Sequence, residues 1–497
     1  MQGALEKLVD QNAKQAEQIG ELIEQNKLLQ QKVEFLLSRL FGKKSEKLDR
    51  NQLELLLAGM DPDAGPADDP PPSTPPPRSR KKRERKPRLP EDLPTENQII
   101  DPEAVKQDPS AYRCIGEEVT EELDVVPTRY FRRRIIRRKY VSKTKRSQAP
   151  LLAPLPPRLI EGGYASAGLL TDIMLKKYVD HLPLNRQEQI LRTRHGIDLS
   201  RKTMSDWVRV VADWLRPIYD HIQEELRDSA YLQVDETPVR YCQKEGGGSG
   251  QGYLWVYNEP GRNVLYDWHP SRAATCLDGM LDTFSGTVQC DGYRAYASYV
   301  KTRPDIELAA CWAHVRRKFN DARETEPLLA GWFLNQIGCL YGVEREIRGR
   351  APALRAAARA SSSAMIMARL ELALKRKLGQ HRPSTAIENA IRYTLSLWPQ
   401  LIRFLEDGLI EIDNNGVENA IRPTAVGKKN YLFFGDPKAG QRSAIVYTLV
   451  ECCKRYGINP QEYLLDVLTR LPSMKITQVA ALTPAAWAEQ RRQSQAA

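Results

Sequence analysis

Five short stretches between residues 229 and 311 alternate apolar and polar side chains with a period of two, and they constrain the fold most. They read AYLQVDE, GYLWVYN, NVLYDW, GTVQCD and IELAAC. Such alternation fits a half-buried strand. GYLWVYN and NVLYDW flank the turn EPGR, so they are expected to form a hairpin. Ser271 is expected to cap a helix running to about Thr283, and YRAYASYV to form a second, short one. Three strands, then helix, strand, helix, strand, is the element order of a ribonuclease-H-like fold. The expected class is α/β.

Two of these strands end in carboxylates. Asp235 and Glu236 close the first and Asp291 closes the fourth. First and fourth strands are neighbours in the expected sheet, so the acids meet at one edge. Adjacent strand residues face opposite ways, so only one of Asp235 and Glu236 can join Asp291. Asp235 is the choice, which leaves Glu236 on the other side with Val234. Two converging carboxylates attract Mg²⁺, which takes oxygen ligands and keeps several waters. A pair of such ions about 3.5–4 Å apart activates an attacking oxygen and stabilises the leaving one at phosphorus.

A third acid would complete the second ion's shell. EIDNNGVENAIRPTAVGKKNYLFFG, residues 411–435, supplies a candidate: Asn414 or Asn415 caps a helix, and Glu418 sits in its first turn. Arg422 and Lys429 share that helix face or its extension. With Lys428 they suit a site that grips backbone phosphates. Taken alone, Glu418 and Arg422 are an ordinary exposed i,i+4 pair of little energetic worth. Glu451, in YTLVECCKRYG, is the rival third acid, ranked lower because its surroundings are apolar.

The flanking regions read differently. Leu5, Asn12, Ile19, Asn26, Val33 and Leu40 recur every seventh residue, with Leu8, Gln15, Leu22, Leu29 and Leu36 as the companion seam. Residues 1–50 are therefore expected to form a coiled coil, whose Asn positions fix register in a parallel pair. An amphipathic helix packed on its own chain is the alternative. Residues 61–90, DPDAGPADDPPPSTPPPRSRKKRERKPRLP, are too rich in proline and charge to bury a core and read as a linker. Its basic half either slides along phosphates or is a solvated tether. Residues 91–160 are expected to hold a small basic β module. There RYFRRRIIRRKYVSKTKR interleaves ten Lys and Arg with aromatic and aliphatic residues. Within 161–227, LPLNRQEQILRTRHGIDLSRKTMSDWVRVVADWL reads helix, turn at Gly196, Ser200 cap, helix. That outline fits a helix-turn-helix, with Arg201 and Lys202 where base contacts are made, or two ordinary packed helices.

Lys and Arg exceed Asp and Glu to give a net charge of +11, which favours a polyanionic partner. The eight cysteines form no paired CxxC array, so neither a disulfide framework nor a zinc ribbon is indicated. No signal-like segment and no 18-residue apolar run stands in the chain, so a cytoplasmic setting without a membrane is expected.

VDETPV, VQCDGYRAYASY, CWAHVRRKF and EIDNNGVENAIRPTAVGKKNYLFFG resemble the corresponding blocks of the insertion-sequence sixty-six family of bacterial transposases. RLFGKKSEKL, HLPLNRQEQI and YGINPQEYLLDVL extend the resemblance over nearly the whole chain. It implies a DDE-type transposase that cleaves insertion-sequence ends and transfers the strand into target DNA. Asp235, Asp291 and Glu418 would be its catalytic and metal-binding triad, with Mg²⁺ as cofactor and Mn²⁺ able to substitute. The core would occupy 228–314 and 413–475, split by an α-helical insertion at 315–412 and followed by a tail at 476–497. DNA, a second copy of the chain and two small proteins of the same element are the implied partners, with nucleoid association when DNA is bound. Cys311 and His314 of CWAH are expected to support the triad. Relatives often carry paired CxxC motifs before the helix-turn-helix, whereas Cys114 stands alone there, so no zinc is expected. A stand-alone metal-dependent nuclease and a domesticated, non-cutting DNA-binding protein are the alternatives.

Overall fold

The computed structural model describes residues 129–140, 151–152, 154–243 and 248–496. Every described residue belongs to the compact unit Pro127–Ala497. The expected coiled coil, the linker and Cys114 lie outside the described residues. Of the basic β module, β1 (Lys139–Tyr140) and β2 (Leu151–Leu152) pair antiparallel. Ahead of them, the Tyr130 hydroxyl donates to Asp172 at 3.0 Å and accepts from Lys176 at 2.7 Å, both on helix α1 (Ala167–Tyr178).

Helix α2 (Leu184–His195) ends at Gly196, whose φ of 63° is the left-handed geometry that favours glycine after a helix. Ser200 then caps α3, its Oγ accepting from the Thr203 amide at 3.1 Å. Turn and cap stand where expected, but α3 (Arg201–Arg227) is 27 residues long, well beyond the second helix that the sequence outlined. Met204, Val211, Leu215, Ile218, Ile222 and Leu226 recur at helical spacing and are fully buried, so one seam of the helix packs into the core. Tyr219 seals that seam to the sheet by donating to the Tyr266 carbonyl at 2.9 Å. Arg201 and Lys202 remain exposed at the helix start.

Five strands form the central mixed sheet: β3 (Tyr231–Cys242), β4 (Ser249–Asn258), β5 (Val264–His269), β6 (Gly286–Cys290) and β7 (Ile306–Ala310), in the order β5-β4-β3-β6-β7. β3, β4 and β5 run antiparallel in turn, while β6 lies parallel to β3 and β7 parallel to β6. Helix α4 (Arg294–Val300) connects β6 to β7.

Two local expectations are corrected. The first strand does not stop at the acids but runs on to Cys242. β6 pairs with it only over Tyr231–Gln233, so beyond that point β4 is its ladder partner and Pro238 interrupts no second ladder. Nor does Ser271 cap a helix to Thr283. Its hydroxyl instead accepts from the Ala273 amide at 3.1 Å in a local turn. A 3₁₀ turn (Ala274–Leu277) and a single α-turn (Asp278–Leu281) follow.

After β7 come α5 (Trp312–Ala322), α6 (Pro327–Glu346), α7 (Pro352–Ala358), α8 (Ala364–Lys377) and α9 (Ala386–Ser396), around a second apolar core that includes Phe319, Phe333 and Leu374. A π-helical turn, Arg359–Ser363, joins α7 to α8. The fully buried Arg359 guanidinium is matched there by Glu344 at 2.7 Å and by the Phe404 and Asp407 carbonyls, so its charge is not stranded. The chain then returns to where it left: the Trp312 amide donates to the Ile412 carbonyl at 3.1 Å, and the Asn414 amide to Cys311 Sγ at 3.4 Å. From there α10 (Asn415–Tyr431), α11 (Pro437–Arg455), α12 (Pro460–Arg470) and α13 (Pro484–Ala496) complete the unit. Thr448 of α11 accepts from the Tyr266 amide at 2.9 Å, which fixes α11 on β5. No helix among the described residues is long and apolar enough to cross a membrane.

Candidate active site

The strands carrying Asp235 and Asp291 share a spelling, Gln-x-Asp, and the register shows its use. Gln233 faces Gln289 across the β3–β6 ladder, and each acid stands two residues further along its own chain. Both glutamines are about 1% exposed and hydrogen-bonded to each other at 3.1 Å. They also fasten the chain returning from the helical insertion: Gln289 donates to the Glu411 carbonyl and Gln233 to the Asp413 carbonyl, each at 2.8 Å. Buried amides of this kind are stable only when satisfied, and their partners fix where α10 begins. Glu418 lies in the first turn of that helix. Asn414 stands at its N-cap, one of the two positions expected, but its side chain makes no capping bond. Asp413 instead accepts from the Asn415 amide at 3.1 Å.

The start of α10 is thereby held against β3 and β6, and the charges of Asp291 and Glu418 both reach Asp235. Burial pushes the Asp235 carboxyl up to about 7, and the charges of Glu236, Asp291 and Glu418 push the same way. Glu236 takes the opposite side of β3. Its carboxylate accepts from Arg272 Nε at 2.6 Å and from the Tyr296 hydroxyl at 2.7 Å, so it is neutralised in place. Arg272 in turn stacks 3.8 Å from the centre of the Tyr293 ring. Among the described residues, no ion pair reaches Asp235 or Asp291. No three His, Cys, Asp or Glu among them are close enough to form a ready-made cage for an ion.

His314 stands 3.8 Å from Glu418 through Nε2. Burial holds its pKa below the ordinary histidine value, against the pull of Glu418 and Asp291. Its Nδ1 is buried without a hydrogen-bond partner, as are both amide atoms of Asn414. Cys311, the partner residue of the CWAH motif, accepts from the Asn414 amide and so touches the base of α10. Of the three cations read from the sequence, Arg422 and Lys429 are exposed along α10. Lys428 is tied down, donating to Thr237 Oγ1 at 3.0 Å and to the Pro238 carbonyl at 3.1 Å. Glu451 points elsewhere and pairs with Lys454 at 2.6 Å on α11.

A sequence profile described as the Transposase IS66 family matches residues 162–442, more than half of the chain. This protein belongs to the IS66 family of transposases. A second profile, described as Transposase C of IS166 homeodomain, matches residues 28–97, and a third, the IS66 C-terminal element, matches 448–485. Among curated proteins, the uncharacterized protein y4qI of Sinorhizobium fredii strain NBRC 101917 / NGR234 is 36% identical over 393 residues, covering 74% of this chain and 71% of its own. The uncharacterized protein y4jD of the same strain is 34% identical, with 80% of this chain and 81% of its own covered. All of Asp235, Asp291, His314 and Glu418 lie inside the IS66 transposase match, whereas Glu451 falls in the C-terminal element.

Other residues of this IS66 protein, not foreseen from its sequence, build the site from beneath. Tyr393, on α9 of the insertion, donates to the Asp291 carbonyl at 2.8 Å and so steadies the acid's backbone. Tyr231 donates to Gln289 at 2.6 Å and accepts from the Glu411 amide. The repeated Gln-x-Asp was the available signal for the glutamines. Tyr393 had none, because its partner is a main-chain atom far away in sequence.

Proposed function

We propose that this IS66-family chain is a DDE-type transposase acting through Asp235, Asp291 and Glu418 on a ribonuclease-H-like core. It cleaves the ends of its element and joins the freed 3′ end to target DNA. The observation that carries the reading is the register that sets Asp235 and Asp291 two residues beyond facing glutamines, which also hold the start of α10, so that the charges of Asp291 and Glu418 both reach the Asp235 carboxyl. The sheet order supports the ribonuclease-H-like assignment.

The donor set fits a divalent ion such as Mg²⁺. It is all oxygen, no cation among the described residues pairs with Asp235 or Asp291, and burial together with the neighbouring acids already drives one carboxyl towards protonation. Mg²⁺ is commonly held by one or two carboxylates, waters and substrate phosphate, so a closed cage of protein ligands is not required. When bound, Mg²⁺ supplies Lewis acidity to phosphate oxygens and neutralises charge that develops on them. Arg422 and Lys429 bind backbone phosphates along α10, and Lys428 holds that helix to β3. His314 orients Glu418. Arg201 and Lys202, at the exposed start of α3, help read the end sequence.

The test is a nicking and joining assay on labelled element ends with Mg²⁺ or Mn²⁺. Asp235→Asn, Asp291→Asn and Glu418→Gln are each expected to lower nicking by at least about a thousandfold, as for loss of a residue that acts in a unit. End binding should persist. Activity in Glu418→Gln, together with loss in Glu451→Gln, would move the third acid to α11. Nicking without joining would leave a nuclease.

A further inference from the structure

The turn after α10 is strained, anchored and apolar. Leu432 has φ 64° and ψ −44°, and the Phe433 amide closes onto the Tyr431 carbonyl at 2.7 Å. This is a γ-turn with positive φ, a rare and strained conformation for a residue with a Cβ. Burial does not repay it: Leu432 is 65% and Phe433 47% exposed. Instead the flanks hold it. Phe434 is buried, its amide donates to the Arg240 carbonyl at 2.8 Å and its carbonyl accepts from the Cys242 amide at 2.9 Å. Its ring stacks on Tyr431, with centres 5.5 Å apart. A rigid base thus pushes two large apolar side chains into water, and such strain persists where function requires it.

Their surroundings are cationic. Lys429 precedes the turn on α10, Arg240 is exposed on β3, and Lys438 is exposed at the start of α11. The acid on the turn, Asp436, is neutralised by Arg442 at 2.8 Å. Apolar side chains on a rigid ledge among cations match the chemistry of proteins that wedge base steps apart and kink a duplex. We propose that Leu432 and Phe433 insert between base pairs of the bound DNA end and bend it. Along α10 the turn lies about 20 Å from Glu418. With α10 laid along the duplex axis, that span covers roughly six base-pair steps from the scissile phosphate.

The inference rests on the DNA-end reading above, and the experiment separates the two. The full-length protein, wild type and Phe433→Ala, is mixed with element ends carrying 2-aminopurine at successive steps, and bending is followed by energy transfer between terminal dyes. Wild type should brighten one step near the sixth and bend the duplex; Phe433→Ala should do neither. Phe433→Ala should also nick intact ends about tenfold or more slowly. An unpaired nucleotide at the brightened step should restore its rate to within about threefold of wild type. Leu432→Gly, in which the positive φ is unstrained, should keep or raise Tm yet reduce bending, which separates wedging from misfolding. A normal rate for Phe433→Ala on intact ends, or an equal loss on both substrates, would overturn the proposal. So would a changed oligomeric state with bending intact, because a second copy would then cover the turn. Failure of wild type to nick any end while the step still brightens would sink the catalytic reading and leave the wedge.

Discussion

Asp235 shows what the site does to a single residue. Its carboxyl, raised to about 7 by burial and by its acidic neighbours, binds a proton more tightly in the folded chain than in the unfolded one. Between the unfolded value of 3.8 and the folded value near 7, the native state therefore holds the extra proton, and stability falls as pH rises through that window. A rise of that size bounds the effect at about 4 kcal/mol, and partial exposure to solvent makes the realised value smaller. Replacing Asp235 with Asn removes the liability. In chelator, Asp235→Asn is expected to melt a few degrees above wild type at pH 8 and at the same temperature near pH 4. Mg²⁺ should close the pH 8 gap by raising wild type alone. A variant no more stable than wild type at pH 8 would mean that neither burial nor its acidic neighbours penalise the Asp235 carboxylate. Glu236, one residue on, should behave differently, because Arg272 and Tyr296 already satisfy it. Burial raises its carboxyl too, but Tyr296 and Arg272 oppose that shift, so losing its charge would forfeit their hydrogen bonds rather than only relieve a cost.

At the scale of elements, the site depends on how closely α10 approaches the sheet. Gly416 permits this: a Cβ there would come within 2.5 Å of Gln233 Oε1 and 2.8 Å of Asn258 Nδ2. Gln233 cannot swing away without breaking its bonds to Gln289, to the Asp413 carbonyl and to Asn258. Gly416→Ala is thus expected to cost about 1–3 kcal/mol of stability, read by denaturant unfolding, and to slow nicking more than DNA binding. Unchanged nicking would mean that α10 tolerates displacement. The elements themselves were largely legible. Alternation located all five strands, Gly196 and Ser200 stand where they were read, and Asp291 follows the end of its strand. Illegible were features set by neighbours rather than by local pattern. β3 outruns its acids because β6 leaves it early, which no reading of Pro238 reveals. α3 extends to Arg227 because its apolar seam has a sheet to bury against. The Ser271 hydroxyl turned to the Ala273 amide instead of starting a helix. The supports under Asp291 and Glu418 come from the insertion, and sequence spacing says nothing of where a long excursion closes.

For the whole molecule, the two apolar cores meet at the polar seam that presents the acids. One is built on the sheet with α3 and α11, the other on the insertion helices. A single chain thereby carries every residue of the proposed site, with Asp235, Asp291, Glu418 and His314 all on the same copy. In the proposed reaction an element has two ends, so joining both requires two such sites held together. The heptads of residues 5–40, outside the described residues, are the feature suited to bring copies together. Deleting residues 1–45 is therefore expected to abolish self-association in sedimentation at micromolar concentration and to abolish pairing of two ends in a gel-shift assay. Nicking of a single end, and its binding through the basic residues further along, should fall by less than about threefold, since no catalytic contact is removed. A full-length chain that sediments as a monomer would refute the coiled-coil reading. An equal loss of single-end binding would assign those heptads to DNA instead. The asymmetry between the two readouts is what decides, because a chain that merely misfolds loses both.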